Sequence, residues 1–170
     1  VWQVVVPSDA IEKVHKASNP ANATVVANDQ HIYVYFASCG VFCFDHDGKS
    51  VWEHLLPVST RFNGSGTSPT LVGDRVILNR EDTQEKYLIA LNSETGEQLW
   101  KTTHGGGGMS FGEATPLIWN NQIVLHRHND VAAFGLADGK RRWSTPVSTT
   151  AASTPVIHDD TLYVGAWNNF

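Results

Sequence analysis

The sequence predicts an all-β fold, a β-propeller of four-stranded antiparallel blades, on three observations. A phrase ending Gly-x-x-x-Trp recurs at intervals near 45 residues, a strand–turn–strand phrase recurs upstream of each copy, and helical periodicity is nearly absent. Repeats of that length mark propellers or solenoids. Of the 170 residues, 41% are hydrophobic and 17% are charged, and six are tryptophan. Such a chain has the apolar and aromatic material for a packed core and does not read as disordered. No apolar run approaches the roughly 18 residues of a membrane-spanning helix. The net charge of −5 argues against a nucleic-acid partner, which calls for a basic face.

The elements follow in order. Strand A and strand B form the upstream phrase: Ser68-Pro to Leu78, Thr115-Pro to Leu125 and Thr154-Pro to Val164 align without gaps, and Thr24 to Val34 is a degenerate copy. The proline stands at a strand start, where its missing N–H does little harm. The pairs Asp29-Gln30, Gly73-Asp74, Asn120-Asn121 and Asp159-Asp160 suit tight two-residue hairpins. Strand C is Val41–Phe44, Tyr87–Leu91 and Val131–Phe134 in successive copies. An Asp/Asn-x-x-Gly type of turn then leads into strand D, which is expected to end at the tryptophan. The Gly-to-Trp offset is four in Gly48–Trp52, Gly96–Trp100 and Gly139–Trp143. Val1-Trp2 through Pro7 matches Val51-Trp52 through Pro57, so it reads as a closing strand too. Within the long loop from Ser8 to Ala23, only Asp9–Lys16 suggests a single helical turn.

The units are therefore 1–7 (the closing strand of a preceding blade), the blades 23–57, 67–102 and 114–147, and 153–170 (the start of a truncated blade). Three full blades with partial ones at both ends read as a segment of a seven- or eight-bladed ring. Eight blades would need roughly 360 residues. Open blade edges invite self-association, two arcs closing one ring.

Chemistry is sparser. Cys39 and Cys43 lack metal or redox spacing; they either bridge a hairpin locally or remain ordinary thiols. Gly108-Met-Ser110-Phe-Gly112 fits a nucleophile-elbow pattern, but it lies in an interblade loop instead of between a strand and a helix. His126 and His128, with Asp130 nearby, could hold zinc with a third ligand, or be strand-end histidines beside a turn. Antiparallel connectivity puts the short A–B and C–D turns on one face and the long B–C and D–A loops on the other. Function concentrates on long loops carried by a rigid frame. Arg61, Asn63, Arg80, Glu81, Asp82, His104, Glu113 and His128 fall on that loop-rich face. Their mixed charge suits a polar small ligand or a peptide. Trp167, outside the repeat's requirement, is a candidate for ligand stacking.

The Ser/Thr-Pro phrase together with Asn92-Ser-Glu-Thr-Gly96-Glu-Gln-Leu-Trp100 resembles the repeats of PQQ-like (quinoprotein-type) β-propellers. Tyr35–Asp45 and Gly64–Pro69 through Asn79-Arg80 resemble secreted bacterial PQQ-binding-like repeat proteins. The resemblance covers essentially the whole chain. It implies a periplasmic or extracellular setting and either of two roles. One is a non-catalytic scaffold that binds protein or peptide through the loop-rich face, without a cofactor, as in the propeller lipoprotein of outer-membrane-protein assembly. The other is part of a dehydrogenase using PQQ with calcium, whose site lies partly in blades outside this stretch. The family's alcohol dehydrogenases carry adjacent cysteines beside the quinone, a Glu/Asn/Asp calcium site and a catalytic aspartate; no segment here matches these. Recognition of a polysaccharide or peptide within an extracellular complex is a third role.

Overall fold

A computed structural model describes residues 1–61, 63–105, 114–147 and 153–165. Three four-stranded antiparallel sheets and a hairpin follow one another along the chain. The first blade comprises β1 (Val26–Ala27), β2 (His31–Phe36), β3 (Gly40–Asp45) and β4 (Ser50–Leu55). The second comprises β5 (Thr70–Val72), β6 (Arg75–Glu81), β7 (Lys86–Asn92) and β8 (Gln98–Gly105). The third comprises β9 (Leu117–Trp119), β10 (Gln122–His126), β11 (Asp130–Gly135) and β12 (Arg141–Pro146). The hairpin is β13 (Val156–His158) and β14 (Thr161–Tyr163). Each blade pairs its strands in sequence order, as in a propeller.

The A–B turns take the expected form. Asn120-Asn121 and Asp159-Asp160 all have positive φ between 46° and 57°, the type I′ signature that matches strand twist. Gly73 supplies φ +55° in the equivalent turn of the second blade. Strand D departs from expectation: the tryptophan is its third residue, and the strand continues three to five residues beyond. The reason lies across the blade junction. Trp52 donates its Nε1–H to Ser93 O at 2.8 Å, and Trp100 donates to Leu136 O at 3.2 Å. Both carbonyls belong to the next blade's C–D turn, so the indole must sit at the turn end of its own strand. A Cβ on Gly96 would lie 2.6 Å from Trp52 Cε3, and one on Gly139 would lie 2.5 Å from Trp100 Cε3. Each ring thus lies flat on the glycine of the following blade.

Trp2 repeats this docking. Its Nε1–H donates to His46 O at 2.9 Å, and its ring covers Gly48 and meets Phe44 at 6.0 Å between centroids. Residues 1–7 nevertheless make no ladder bonds. Asp9–Lys16 forms no helical turn; it runs as an irregular strap, turned by Ser18 N–H donating to His15 O at 2.7 Å.

The core lies between blades. Tyr33, Tyr35, Val41, Cys43 and Trp52 of the first blade pack on Val76, Leu78, Tyr87, Ile89 and Leu91 of the second. Ile77, Leu88 and Ala90 turn the other way, onto Ile123, Leu125, Ala132 and Phe134. This is the alternation of a strand buried on both faces. A relay of hydroxyl bonds stitches the blades where strand A begins. Thr24 N–H donates to Ser68 Oγ at 2.9 Å, Ser68 N–H to Thr115 Oγ1 at 3.1 Å, and Thr115 N–H to Thr154 Oγ1 at 3.1 Å. That relay explains the recurring Ser/Thr before proline.

Candidate functional site

The end of β6 governs the loop-rich face. Successive residues of a strand point to opposite faces, so Arg80 faces the first blade while Asn79 and Glu81 face the third. The expected site residues therefore divide into two groups, one at each blade junction. They are not a solvated surface: Arg61, Arg80 and Glu81 are at most 7% exposed.

At the first junction, Arg80 Nε donates to Asp82 Oδ2 at 2.6 Å, and its Nη2 donates to Pro57 O on the preceding blade. Asp82 Oδ1 accepts from Ser59 Oγ at 2.7 Å and from Thr60 N–H at 3.1 Å. The neighbouring phenol Tyr35 is pushed up to about 12, chiefly by burial. Above this layer lies Glu12 of the strap, whose Oε2 accepts from Ser38 Oγ at 2.6 Å, while Ser38 Oγ accepts from Glu12 N–H at 3.2 Å. Burial raises the Glu12 carboxyl above its ordinary value. Asn63 is half-buried on the same loop.

At the second junction, Arg127 is the counterpart of Arg80. It grips Asp130 in a bidentate pair through Nε and Nη2, with Nε–Oδ1 at 2.7 Å, and its Nη1 donates to His104 O at 2.7 Å. Arg127 Nη1 also approaches His104 Nδ1 at 3.2 Å, and His104 Nε2 lies 2.9 Å from Asn79 Oδ1. This pairing requires the neutral tautomer with its proton on Nε2, donating to Asn79. Burial first, then the Arg127 and Lys86 charges, hold His104 down to about 3. His104 is consequently a neutral spacer rather than an acid–base group. A cleft of about 350 Å³ opens beside it, lined by Glu81, Lys86, His104, Gly105, Arg127, His128, Asn129 and Asp130.

The structure thus brings Glu81, His104 and His128 together and leaves Arg61, Arg80 and Asp82 at the other junction. Glu113, Trp167 and the Gly108–Gly112 phrase lie outside the described residues. Sequence reasoning passed over Lys86, Asn79 and Glu12. Arg127 carried a usable signal: it aligns with Arg80 two residues after Leu125 and Leu78, and each is followed closely by aspartate. His126 and His128 do not converge as a ligand pair. His126 is fully buried, with Nδ1 3.2 Å from Ser153 O, and among the described residues no three His, Cys, Asp or Glu cluster as metal ligands.

A quinone with calcium fits these residues poorly. Cys39, in the turn just before β3, and Cys43, within β3, are free thiols. Four residues of strand separate them by about 13 Å, beyond disulfide reach. Cys43 is fully buried between its ladder partners Tyr33 and Trp52, where it cannot flank a ring.

Four-stranded blades, the first two docked by an indole on the next blade's glycine turn, are the architecture of a quinoprotein-type β-propeller. The family profile described as outer membrane protein assembly factor BamB matches residues 1–169. The chain belongs to that family. It is 27% identical over 120 residues to outer membrane protein assembly factor BamB of Burkholderia pseudomallei, covering 69% of this chain and 29% of that protein. Its fold matches BamB from Moraxella catarrhalis with a TM-score of 0.66 and 18% identity, over 86% of this chain and 41% of that one. It also matches quinohemoprotein alcohol dehydrogenase ADHIIG from Pseudomonas putida HK5, with a TM-score of 0.58 and 14% identity, over 81% and 30%. The chain therefore spans less than half the length of these relatives. No helix among the described residues is long and apolar enough to cross a membrane.

Proposed function

We propose that the chain is part of a non-catalytic propeller that binds protein or peptide partners through its loop-rich face. The cleft at the junction of the second and third blades is the contact site. The observation that carries this reading is the fixed polar lining of that cleft. Asp130 and the His104 carbonyl orient Arg127, Asn79 orients His104, and Lys86 stands at the rim. Preorganised donors and acceptors lower the ordering cost of association. Mixed charge in such a lining favours a polypeptide's own mixture of polar groups. Membership in a family of outer membrane protein assembly factors supports a protein partner and a setting at the bacterial envelope, periplasmic or extracellular. In this reading 23–57, 67–102 and 114–147 are successive blades of a seven- or eight-bladed ring, flanked by parts of blades at 1–7 and 153–170. Open edges of such an arc can pair with a second copy.

The test is site-specific photocrosslinking of the full-length protein in its native envelope. A photoreactive residue at Asn129, on the exposed rim of the cleft, should yield discrete protein adducts, whereas one at Asp47, on the short-turn face, should not. Equal labelling from both positions would refute a directional binding face. Dye reduction after addition of PQQ and calcium would refute the non-catalytic reading.

A further inference from the structure

We infer that the groove between the strap and the first D–A loop is a second docking site, one that takes an acidic peptide segment carrying apolar side chains. The inference rests on the reading that the loop-rich face binds protein, and it adds the chemistry of the partner. The groove, about 920 Å³, is lined by Ile11 through Lys16 on one wall and by Val58 through Arg61 with Thr83 on the other. Its apolar content is open to solvent: Ile11 is 67% exposed and Val58 is 37% exposed. Exposed apolar surface rimmed by polar groups marks an interaction site.

The charge around it runs against the rest of the molecule. The chain has 17 acidic and 12 basic residues, yet in this lining, where Arg61 is buried, Lys13 and Lys16 stand exposed against one carboxylate, Glu12. Glu12 does not offset them in the open groove, because it is buried and turned onto Ser38. Asp82, just behind the opposite wall, is committed to Arg80, Ser59 and Thr60. Lys13 and Lys16 are exposed and form no ion pair among the described residues. His15 is engaged as an acceptor, its Nδ1 receiving Ala17 N–H at 3.2 Å. The walls are also anchored independently of any occupant. Val14 packs against Gly64, where a Cβ would lie 2.7 Å from Val14 Cγ1, and Thr83 N–H donates to Thr60 Oγ1 at 3.2 Å. A preformed apolar floor with free ammonium groups at its rim selects carboxylates flanking aliphatic side chains.

Fluorescence anisotropy with three labelled octapeptides tests the assignment on the full-length protein: leucine alternating with aspartate, with asparagine or with lysine. The aspartate peptide should bind at least about tenfold more tightly than the asparagine one, and its affinity should fall as salt screens the pairing. Lys13→Glu combined with Lys16→Glu should weaken it about tenfold or more, since two surface attractions become repulsions. Ile11→Ser should weaken it several-fold, and Asp47→Asn, on the exposed short-turn face, should leave it unchanged; Lys86→Glu distinguishes the groove from the other cleft. Circular dichroism and urea midpoints matching the parent protein establish that the variants fold. Equal affinity for the aspartate and asparagine peptides overturns the inference. If Lys86→Glu abolishes binding and the Lys13/Lys16 pair does not, the peptide occupies the cleft: the groove assignment fails and the loop-face reading stands. If neither substitution alters binding, both fail.

Discussion

Gly96→Ala measures what the indole docking contributes. Gly96 has φ +73°, and an alanine there has its Cβ 2.6 Å from Trp52 Cε3 and 2.7 Å from Cδ2. The left-handed backbone costs alanine about 1–2 kcal/mol, and reduced freedom of the unfolded chain returns about 0.4–1 kcal/mol. Together they leave a net cost of about 1 kcal/mol, which alanine at any left-handed glycine shares. The contact adds to it, because no packed aromatic ring tolerates a carbon at 2.6 Å. Overpacking of this kind costs about 1–3 kcal/mol. If the ring retreats, the bond from Trp52 to Ser93 O goes as well, for about another 1 kcal/mol. Gly73→Ala is the internal control: its φ is +55°, and a Cβ there meets nothing within 4 Å. Urea unfolding followed by tryptophan fluorescence should therefore show Gly96→Ala about 2–4 kcal/mol less stable than Gly73→Ala, with the slope of the transition unchanged. Two variants within about 0.5 kcal/mol of each other would show that the indole does not rest on this glycine.

His104 should make stability depend on pH. Its native pKa lies near 3 against an ordinary 6.5, so below pH 6.5 the unfolded chain takes up a proton that the native state refuses. Stability is then fully present above about pH 6.5 and declines as pH falls toward 3, by up to about 1.4 kcal/mol per pH unit. Between pH 7 and 4.5, His104→Gln should lose about 2 kcal/mol less than the parent protein in urea titrations; parallel losses would contradict the buried neutral tautomer. Cys43, pushed up to about 12 chiefly by burial, should resist iodoacetamide at pH 8 until the protein unfolds, while the partly exposed Cys39 reacts first. Mass spectrometry showing Cys43 alkylated in the native protein at the rate of Cys39 would refute that placement.

The architecture was legible because each blade repeats its signals at fixed offsets. The Gly-to-Trp spacing of four, the Asn120-Asn121 and Asp159-Asp160 turns and the Thr115-Pro phrase all report local geometry. What the offset means was not legible, since the glycine under Trp52 is Gly96, in the next copy, not Gly48, in its own. The same non-locality hid the strand ends: nothing near Trp100 announces that β8 runs on to Gly105. The candidate site was half legible. Loop connectivity placed Glu81, His104 and His128 on one face. Alternation along β6 then separated Arg80 from Asn79 and Glu81, and burial turned a charged loop surface into two interblade networks. Lys86 went unnoticed because it opens a strand, and Glu12 because the strap has neither repeat nor periodicity.

Three kinds of contact recur at the junctions, and they occupy different corners of the blade. Indole on glycine holds the short-turn end, as with Trp52 and Trp100. An arginine on the preceding blade's carbonyl holds the loop-rich end, as with Arg80 on Pro57 and Arg127 on His104. The Ser/Thr relay holds the start of strand A. Three non-collinear attachments fix one rigid body against another, so the blade angle is set by these few repeated contacts and not by the remainder of the loops. The loops are thereby released to differ, and they do. The first junction carries the strap from Ser8 to Ala23, with its exposed Lys13 and Lys16, over an apolar groove; the second carries an open cleft with Lys86 and His128. Because the frame is the same at both junctions, that difference has no structural duty to explain it. If the loop-rich face binds a partner as proposed, specificity belongs to the residues that break the repeat, Lys13 and Lys16 at one junction and Lys86 and His128 at the other, and not to Arg80 and Arg127, which the repeat holds in equivalent positions.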